Sequence, residues 1–191
     1  QPPIWEESPR APLTGKTLGI LGAGSIAQAL IPVAKSFEMK VIGLSRSGQA
    51  VDGFDDVYAA TDLLKFAQEA DHVVNLMPDT PATTGVLNQA FFGALKLHSM
   101  FINAGRGSAI IEDALLNALD NGTLQAAVLD VFTQEPLPEE HPFWTHPKVV
   151  VTAHTAAVSS PEDVASVFVA NAKRYIANEA LHYQFDFNKG Y

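Results

Sequence analysis

Three polar segments of the sequence, each directly after a predicted strand, carry side chains capable of acid–base chemistry and anion binding: Arg106, Glu135 and His154. An imidazole exchanges protons near neutral pH, a carboxylate can orient its ring, and a guanidinium binds anions. Because parallel strands release the chain at one edge of a sheet, we expect these residues to meet in one crevice. Taken singly, each also fits a structural role, as a core histidine, a solvated loop acid or an arginine that stabilises a glycine turn.

A glycine-rich segment at residues 22–27 follows the first predicted strand and opens the first predicted helix. Gly22 permits a tight turn, Gly24 lets the backbone approach a pyrophosphate, and a small residue at the third position keeps helix and strand close. The helix N-terminus, at Ser25 and Ile26, offers free N–H groups and a partial positive charge to phosphates. The strand–turn–helix context favours dinucleotide binding over a purely structural turn.

The end of the second predicted strand carries Ser45, Arg46 and Ser47. A site that prefers NADH usually places a carboxylate here to hold the ribose hydroxyls. This chain instead offers a guanidinium that can pair with a 2′-phosphate and two hydroxyls that can donate hydrogen bonds to it. The pattern predicts NADP(H) as the preferred cofactor and NAD(H) as the alternative, whereas a solvated surface arginine is the structural alternative.

Short apolar runs alternate with helical patterns, which predicts an α/β fold with a doubly wound, mostly parallel sheet. The predicted strands are Thr17–Leu21, Lys40–Leu44, His72–Leu76, Met100–Asn103, Ala126–Val131 and Val149–Thr152. The predicted helices are Gly24–Ser36, Thr61–Ala70, Asn88–Leu95, Glu112–Asn121 and a last helix running to about Ala180. Thr61 and Ser160 are expected to cap helices, Gly122 to end one, and the segment between Leu44 and Ala60 to form a polar loop.

Composition excludes several classes of protein. The chain has 191 residues, of which 47% are hydrophobic and 17% charged, a balance typical of a globular protein. Its net charge of −9 argues against a general binder of nucleic acids or anionic membranes. The absence of cysteine excludes disulfides and thiolate nucleophiles, and the scattered histidines predict no metal site. No apolar run approaches the ~20 residues of a membrane helix, so a cytoplasmic location is expected.

Several motifs, in order along the chain, resemble those of the NAD(P)-binding Rossmann domain of the D-2-hydroxyacid dehydrogenase family. Besides the glycine turn and the serine–arginine strand end, they are Asn75-Leu76-Met77-Pro78-Asp79-Thr80, Asn103-Ala104-Gly105-Arg106-Gly107, Leu129-Asp130-Val131-Phe132, Glu135-Pro136-Leu137-Pro138, Trp144-Thr145-His146-Pro147 and Asn188-Lys189-Gly190-Tyr191. Within the family, the chain is most similar to the glyoxylate/hydroxypyruvate reductase A type. It departs from the family at Ala153, where a proline commonly precedes the active histidine.

The resemblance implies reversible hydride transfer between NAD(P)H and the C2 carbonyl of a small 2-oxo acid, which yields a D-2-hydroxy acid. His154 would then protonate the developing alkoxide, Glu135 would orient the imidazole, and Arg106 would hold the substrate carboxylate and polarise the carbonyl. The cofactor-lining residues that the resemblance implies are Asp130, near the nicotinamide carboxamide, with Met77, Pro78, Asn103 and Ala104.

The resemblance further implies a leading segment at residues 1–15, a dinucleotide-binding domain at 16–155, and a return helix and tail at 156–191. The substrate domain of the family would be largely missing, so these residues alone are expected to bind NADP(H) but to reduce 2-oxo acids poorly. A homodimer joined through the cofactor domains is also expected. Three alternatives stay open: a non-catalytic dinucleotide-binding or regulatory module, a 3-phosphoglycerate or D-lactate dehydrogenase, and a methyltransferase-type Rossmann domain, which the lack of an acidic second-strand end disfavours.

Overall fold

Seven short strands form one sheet at the centre of the computed structural model, which describes residues 12–187. The strands are β1 (Thr17–Leu21), β2 (Lys40–Ser45), β3 (Asp56–Ala59), β4 (His72–Asn75), β5 (Ser99–Asn103), β6 (Leu124–Leu129) and β7 (Val149–Val151). The central strands are apolar and buried because helices cover both faces of the sheet. The leading segment up to residue 11 and the motif at 188–191 lie outside the described residues.

All pairings in the sheet are parallel, in the order β3-β2-β1-β4-β5-β6-β7, which confirms the predicted doubly wound fold. The strand order reverses between β1 and β4, and in such sheets the ligand crevice opens at this point, beyond the carboxyl ends of the strands. The register aligns residues at or next to the ends of six strands in one row across the sheet: Leu44, Leu21, Asn75, Asn103, Leu129 and Val151.

Helices complete a core on each face of the sheet. They are α1 (Ser25–Ser36), α2 (Leu63–Glu69), α3 (Gln89–Ala94), α4 (Glu112–Asp120) and α5 (Pro161–Ile176). α1 buries Ala27 and Ile31 against one face, whereas α2 and α3 bury Phe66 and Phe92 in the larger cluster on the other face. α5 contributes no buried residue to either cluster.

Two predictions around the second and third strands are wrong. The segment expected to be a polar loop up to Ala60 contains β3, an edge strand with exposed or half-buried residues and therefore without the apolar run typical of a central strand. Thr61 does not cap a helix, because Ala60–Asp62 form a 3₁₀ turn and α2 begins at Leu63 without a side-chain cap. With β3 included, the three polar segments follow β5, β6 and β7.

Other signals at helix ends are confirmed. The Ser160 hydroxyl accepts a hydrogen bond from the Asp163 amide at 3.1 Å and caps α5, which ends at Ile176 rather than near Ala180. Gly122 follows α4 with a left-handed φ of 83°, as expected for a glycine exit. β4, β6 and β7 end one or two residues before their predicted ends.

The substitution Phe66→Ala is expected to lower the free energy of unfolding by about 3–5 kcal/mol, because the side chain is fully buried and its removal leaves a cavity. Urea unfolding followed by circular dichroism measures the change. Leu97→Ala is the matched control, since Leu97 is 74% exposed and should change stability by no more than about 0.5 kcal/mol. Equal losses for both variants would contradict the placement of Phe66 in the core.

Candidate active site

The carboxyl ends of β4 to β7 are tied together by backbone hydrogen bonds that continue the sheet ladder into the loops. The Ala104 amide donates to the Asn75 carbonyl at 3.1 Å, and the Asp130 amide donates to the Asn103 carbonyl at 3.0 Å. The His154 amide then donates to the Asp130 carbonyl at 2.8 Å. Residues far apart in the sequence are thus fixed side by side at one edge of the sheet.

His154 and Glu135 form a hydrogen-bonded pair at this edge, with 2.8 Å between Nδ1 and Oε2. The other carboxylate oxygen of Glu135 accepts a hydrogen bond from the Phe132 amide at 2.9 Å. The bond from His154, aided by the Phe132 amide and the nearby charge of Arg106, lowers the pKa of the Glu135 carboxyl below its ordinary value. An ionised Glu135 can only accept, so Nδ1 carries the proton and Nε2 is the nitrogen left for exchange with a ligand.

Asp130 is a buried carboxylate that shapes the turn bearing His154. Its oxygens accept hydrogen bonds from the Thr152 hydroxyl, from the Thr155 amide at 2.9 Å and from the Ala156 amide at 3.0 Å. Burial by itself raises the pKa of this carboxyl, but these hydrogen bonds outweigh it and leave the pKa lowered. The same turn holds His154 at a left-handed φ of 54°, an uncommon conformation for a residue with a side chain.

Arg106 is exposed in the loop after β5, and its Nη1 donates to the Gly105 carbonyl at 2.7 Å. Its charge reaches Glu135 strongly enough to contribute to the lowered pKa of that carboxyl, although no ion pair joins the two among the described residues. The next residue, Gly107, packs directly on the following loop, since a Cβ there would lie 1.9 Å from the Phe132 carbonyl carbon. The structure thus joins His154 to Glu135 and places Arg106 in the neighbouring loop, which packs against Phe132.

The glycine turn has the features that the diphosphate of a dinucleotide needs. Gly22 has a left-handed φ of 98°, and a Cβ there would lie 3.1 Å from the Leu76 carbonyl. A Cβ on Gly24 would meet nothing within 4 Å, so the space above the turn is open. No side chain caps α1 and no acidic residue lies in its first turn, which leaves the N–H groups near Ser25 and Ile26 available to an anion.

The end of β2 presents a cation beside this turn. Arg46 is exposed, and no carboxylate within residues 12–187 forms an ion pair with it. The Ser45 hydroxyl accepts from the Gly48 amide at 3.0 Å, and the Ser47 hydroxyl accepts from the Gln49 amide at 3.4 Å. Both hydroxyls keep their own proton free to donate to a ligand.

Of the other predicted cofactor residues, Pro78 and Ala104 are half-buried at strand ends, whereas Met77 and Asn103 are buried. The amide of Asn103 bonds within the protein, so its side chain serves the loops around it. Three further residues support this edge of the sheet but were not predicted as site residues from the sequence: Asn75, Thr152 and Gly107. A polar residue at the end of an apolar strand, as at Asn75, is the signal that could have drawn attention to it.

Two further observations concern ligands and membranes. No group of three or more histidine, aspartate or glutamate side chains in the described part of the chain is arranged to hold a metal ion. None of the described helices is long and apolar enough to cross a bilayer.

The substitution Asp130→Asn is expected to lower the free energy of unfolding at pH 7 by about 1–3 kcal/mol, because an amide cannot accept all of these hydrogen bonds. A lowered folded-state pKa means that the stabilisation is present above the ordinary value of 3.8 and is lost as the pH falls through the folded value. The difference in unfolding free energy between the wild type and Asp130→Asn, called the deficit of the variant, should therefore become smaller in acid. Urea unfolding at neutral and acid pH measures it, with the exposed Asp52→Asn as control; a deficit that does not change with pH would contradict the assignment.

Comparison with known proteins agrees with this geometry. The profile of the D-isomer specific 2-hydroxyacid dehydrogenase NAD-binding domain matches residues 4–156. A glyoxylate/hydroxypyruvate reductase A of Serratia proteamaculans is 41% identical over 155 residues, which cover 81% of this chain and 50% of that protein. The chain spans about half the length of such curated relatives.

Solved structures show the same fold. A D-isomer specific 2-hydroxyacid dehydrogenase family protein from Aeromonas salmonicida is 44% identical with a TM-score of 0.89, over 96% of this chain and 59% of that one. An NADPH-dependent glyoxylate/hydroxypyruvate reductase from Sinorhizobium meliloti, solved with NADP and sulfate, is 37% identical with a TM-score of 0.88, over 98% of this chain and 60% of that one. The chain therefore belongs to the D-isomer specific 2-hydroxyacid dehydrogenases, and the match covers their NAD-binding domain.

Proposed function

We propose that this chain is the cofactor-binding and catalytic part of an enzyme that transfers a hydride between NAD(P)H and the C2 carbonyl of a small 2-oxo acid. The observation that carries the proposal is the His154–Glu135 pair, 2.8 Å apart and under the charge of Arg106, at the sheet edge that also carries the open glycine turn. Acid–base groups, an anion-binding cation and a diphosphate cradle are together the parts that this reaction needs.

The residues divide the chemistry of the reduction between them. A bound nicotinamide would supply the hydride to the carbonyl carbon. His154 donates the proton on Nε2 to the carbonyl oxygen, and Glu135 stabilises the protonated imidazole through Nδ1. Arg106 binds the substrate carboxylate and polarises the carbonyl, which places the oxygen within reach of the imidazole. The reverse reaction uses neutral His154 as the base that takes the hydroxyl proton.

Glyoxylate and hydroxypyruvate are the proposed substrates, because both are short and carry the carboxylate that Arg106 would bind. The names of the relatives in Serratia proteamaculans and Sinorhizobium meliloti support this choice. A cytoplasmic location and a homodimer joined through the cofactor domains stay predictions.

The substitution His154→Gln is expected to reduce kcat with glyoxylate by roughly 10²- to 10⁴-fold, because the variant lacks the proton donor. The dissociation constant for NADPH should not change. Turnover is followed by the loss of NADPH absorbance, using a longer polypeptide that carries this sequence together with a substrate domain, because residues 1–191 alone are expected to reduce 2-oxo acids poorly. His98→Gln is the matched control, since His98 is also exposed and left-handed, with a φ of 64°. Wild-type protein that binds NADPH but never turns over would favour the non-catalytic dinucleotide-binding alternative.

We also propose that NADPH is preferred over NADH, because Arg46 at the end of β2 has no carboxylate partner between residues 12 and 187 and has two serine hydroxyls beside it. Arg46→Ala should weaken NADPH binding by roughly 10- to 100-fold, the range expected for a lost charged hydrogen bond. NADH binding should stay the same. Fluorescence titration measures both, with the exposed Lys173→Ala on α5 as control. Equal wild-type affinity for the two cofactors would overturn the preference.

A further inference from the structure

Two asparagines occupy neighbouring positions in the buried row at the carboxyl ends of the strands. Asn75 of β4 pairs in register with Asn103 of β5, and both side chains are fully buried. The aligned residues of β1, β2, β6 and β7 are leucine or valine. A buried amide costs free energy unless all of its hydrogen bonds are made, so two adjacent amides are a poor choice for packing alone.

The asparagine amides bond to each other and to the backbone of two loops. Asn75 Nδ2 donates to Asn103 Oδ1 at 2.8 Å, and Asn75 Oδ1 accepts from the Met77 amide at 3.1 Å. Asn103 Oδ1 also accepts from the Gly105 amide at 3.2 Å, and Asn103 Nδ2 donates to the Arg106 carbonyl at 3.1 Å. The pair therefore fixes the backbone immediately before and after the Arg106 backbone nitrogen. It also joins the loop after β5 to the loop after β4.

The two loops also meet through close backbone packing. A Cβ on Gly105 would lie 2.9 Å from the Met77 carbonyl oxygen and 3.0 Å from Asn75 Nδ2, so only glycine fits without displacement. This packing leaves the loop after β5 little freedom to move toward the loop after β4. The asparagine pair sets the distance between the two loops, and the contact at Gly105 prevents them from moving closer together.

We propose that Asn75 and Asn103 are positioning residues that hold the Arg106 guanidinium where it meets the substrate carboxylate. The inference rests on the proposed role of Arg106 in substrate binding, and it assigns a task to two fully buried side chains whose hydrogen bonds all lie within the protein. It predicts a specific defect: weaker binding of the oxo acid, with dinucleotide binding at the glycine turn preserved.

The test compares Asn103→Leu, Asn75→Leu and the double variant. Each single variant leaves the remaining buried amide without one of its hydrogen-bond partners and should lower the melting temperature. The double variant removes both amides, replaces them with the residue type that fills the row elsewhere, and should recover most of that loss. The KM for glyoxylate should nevertheless stay raised by roughly 10- to 100-fold, as expected for a misplaced binding group, while the Kd for NADPH stays within a factor of about two.

Two controls separate positioning from general instability. Asn88→Ala removes the side chain that caps α3 and should lower the melting temperature without raising the KM. In an Arg106→Ala background, the asparagine substitutions should raise the KM no further, because they act through the missing guanidinium. Should the double variant fail to fold, Asn103→Asp offers a second test. It keeps an acceptor for the Gly105 amide but replaces the donor to the Arg106 carbonyl by a carboxylate oxygen, which repels that carbonyl, and it should raise the KM in the same way.

A double variant with normal KM, or asparagine effects that persist in full without Arg106, would overturn the proposal. Absence of turnover in a wild-type polypeptide that carries this sequence together with a substrate domain would instead refute the proposed function. In that case amide hydrogen exchange tests whether the asparagine pair positions the loops. The Met77 and Gly105 amides should exchange at least roughly tenfold faster in the double variant, because each amide loses the hydrogen bond that protects it. Unchanged exchange at both amides would show that the pair positions neither loop.

Discussion

In-register pairing of parallel strands is the constraint on which the rest of the molecule depends. Asn75, Asn103 and Leu129 are aligned across three neighbouring strands, so the residues that follow them start from one line. A slip of one residue in any of these strands would turn its side chains to the opposite face and shift its loop along the edge. The backbone bonds from the Asp130 amide to Asn103 and from the His154 amide to Asp130 extend this alignment beyond the sheet.

The proposed site separates residues that react from residues that hold them. His154 and Glu135 have side chains that are 50% and 37% exposed, as groups that must meet a substrate need to be. The groups beneath them are buried: Asp130 is 5% exposed and Asn103 is fully buried. Reactive side chains on a surface would sample many positions, and the buried hydrogen bonds restrict them to a few.

The sequence predicts the parts of this arrangement that rest on local pattern. Apolar runs located the central strands, and the polar residues after them located Arg106, Glu135 and His154 at one edge. β3 escaped detection because an edge strand is covered on fewer sides and needs no continuous apolar run. The partnership of Asn75 with Asn103 could not be predicted, because it joins residues 28 positions apart and depends on which strands become neighbours.

The two edges of the sheet differ in how their charges are used. At the amino ends of the strands, Lys40 pairs with Asp56 and Glu69, and the carboxylate of Asp71 pairs with Lys16 and Lys96. At the carboxyl edge, neither Arg46 nor Arg106 forms an ion pair with any residue between 12 and 187. Lys65, Lys148 and Lys173 also lack a carboxylate partner among these residues, so what distinguishes Arg46 and Arg106 is their position at the carboxyl ends of the strands. The lysines at the amino ends of the strands are thus neutralised by carboxylates, whereas Arg46 and Arg106 at the carboxyl ends are not. There the proposed ligands, a phosphate and a substrate carboxylate, would supply the missing partners.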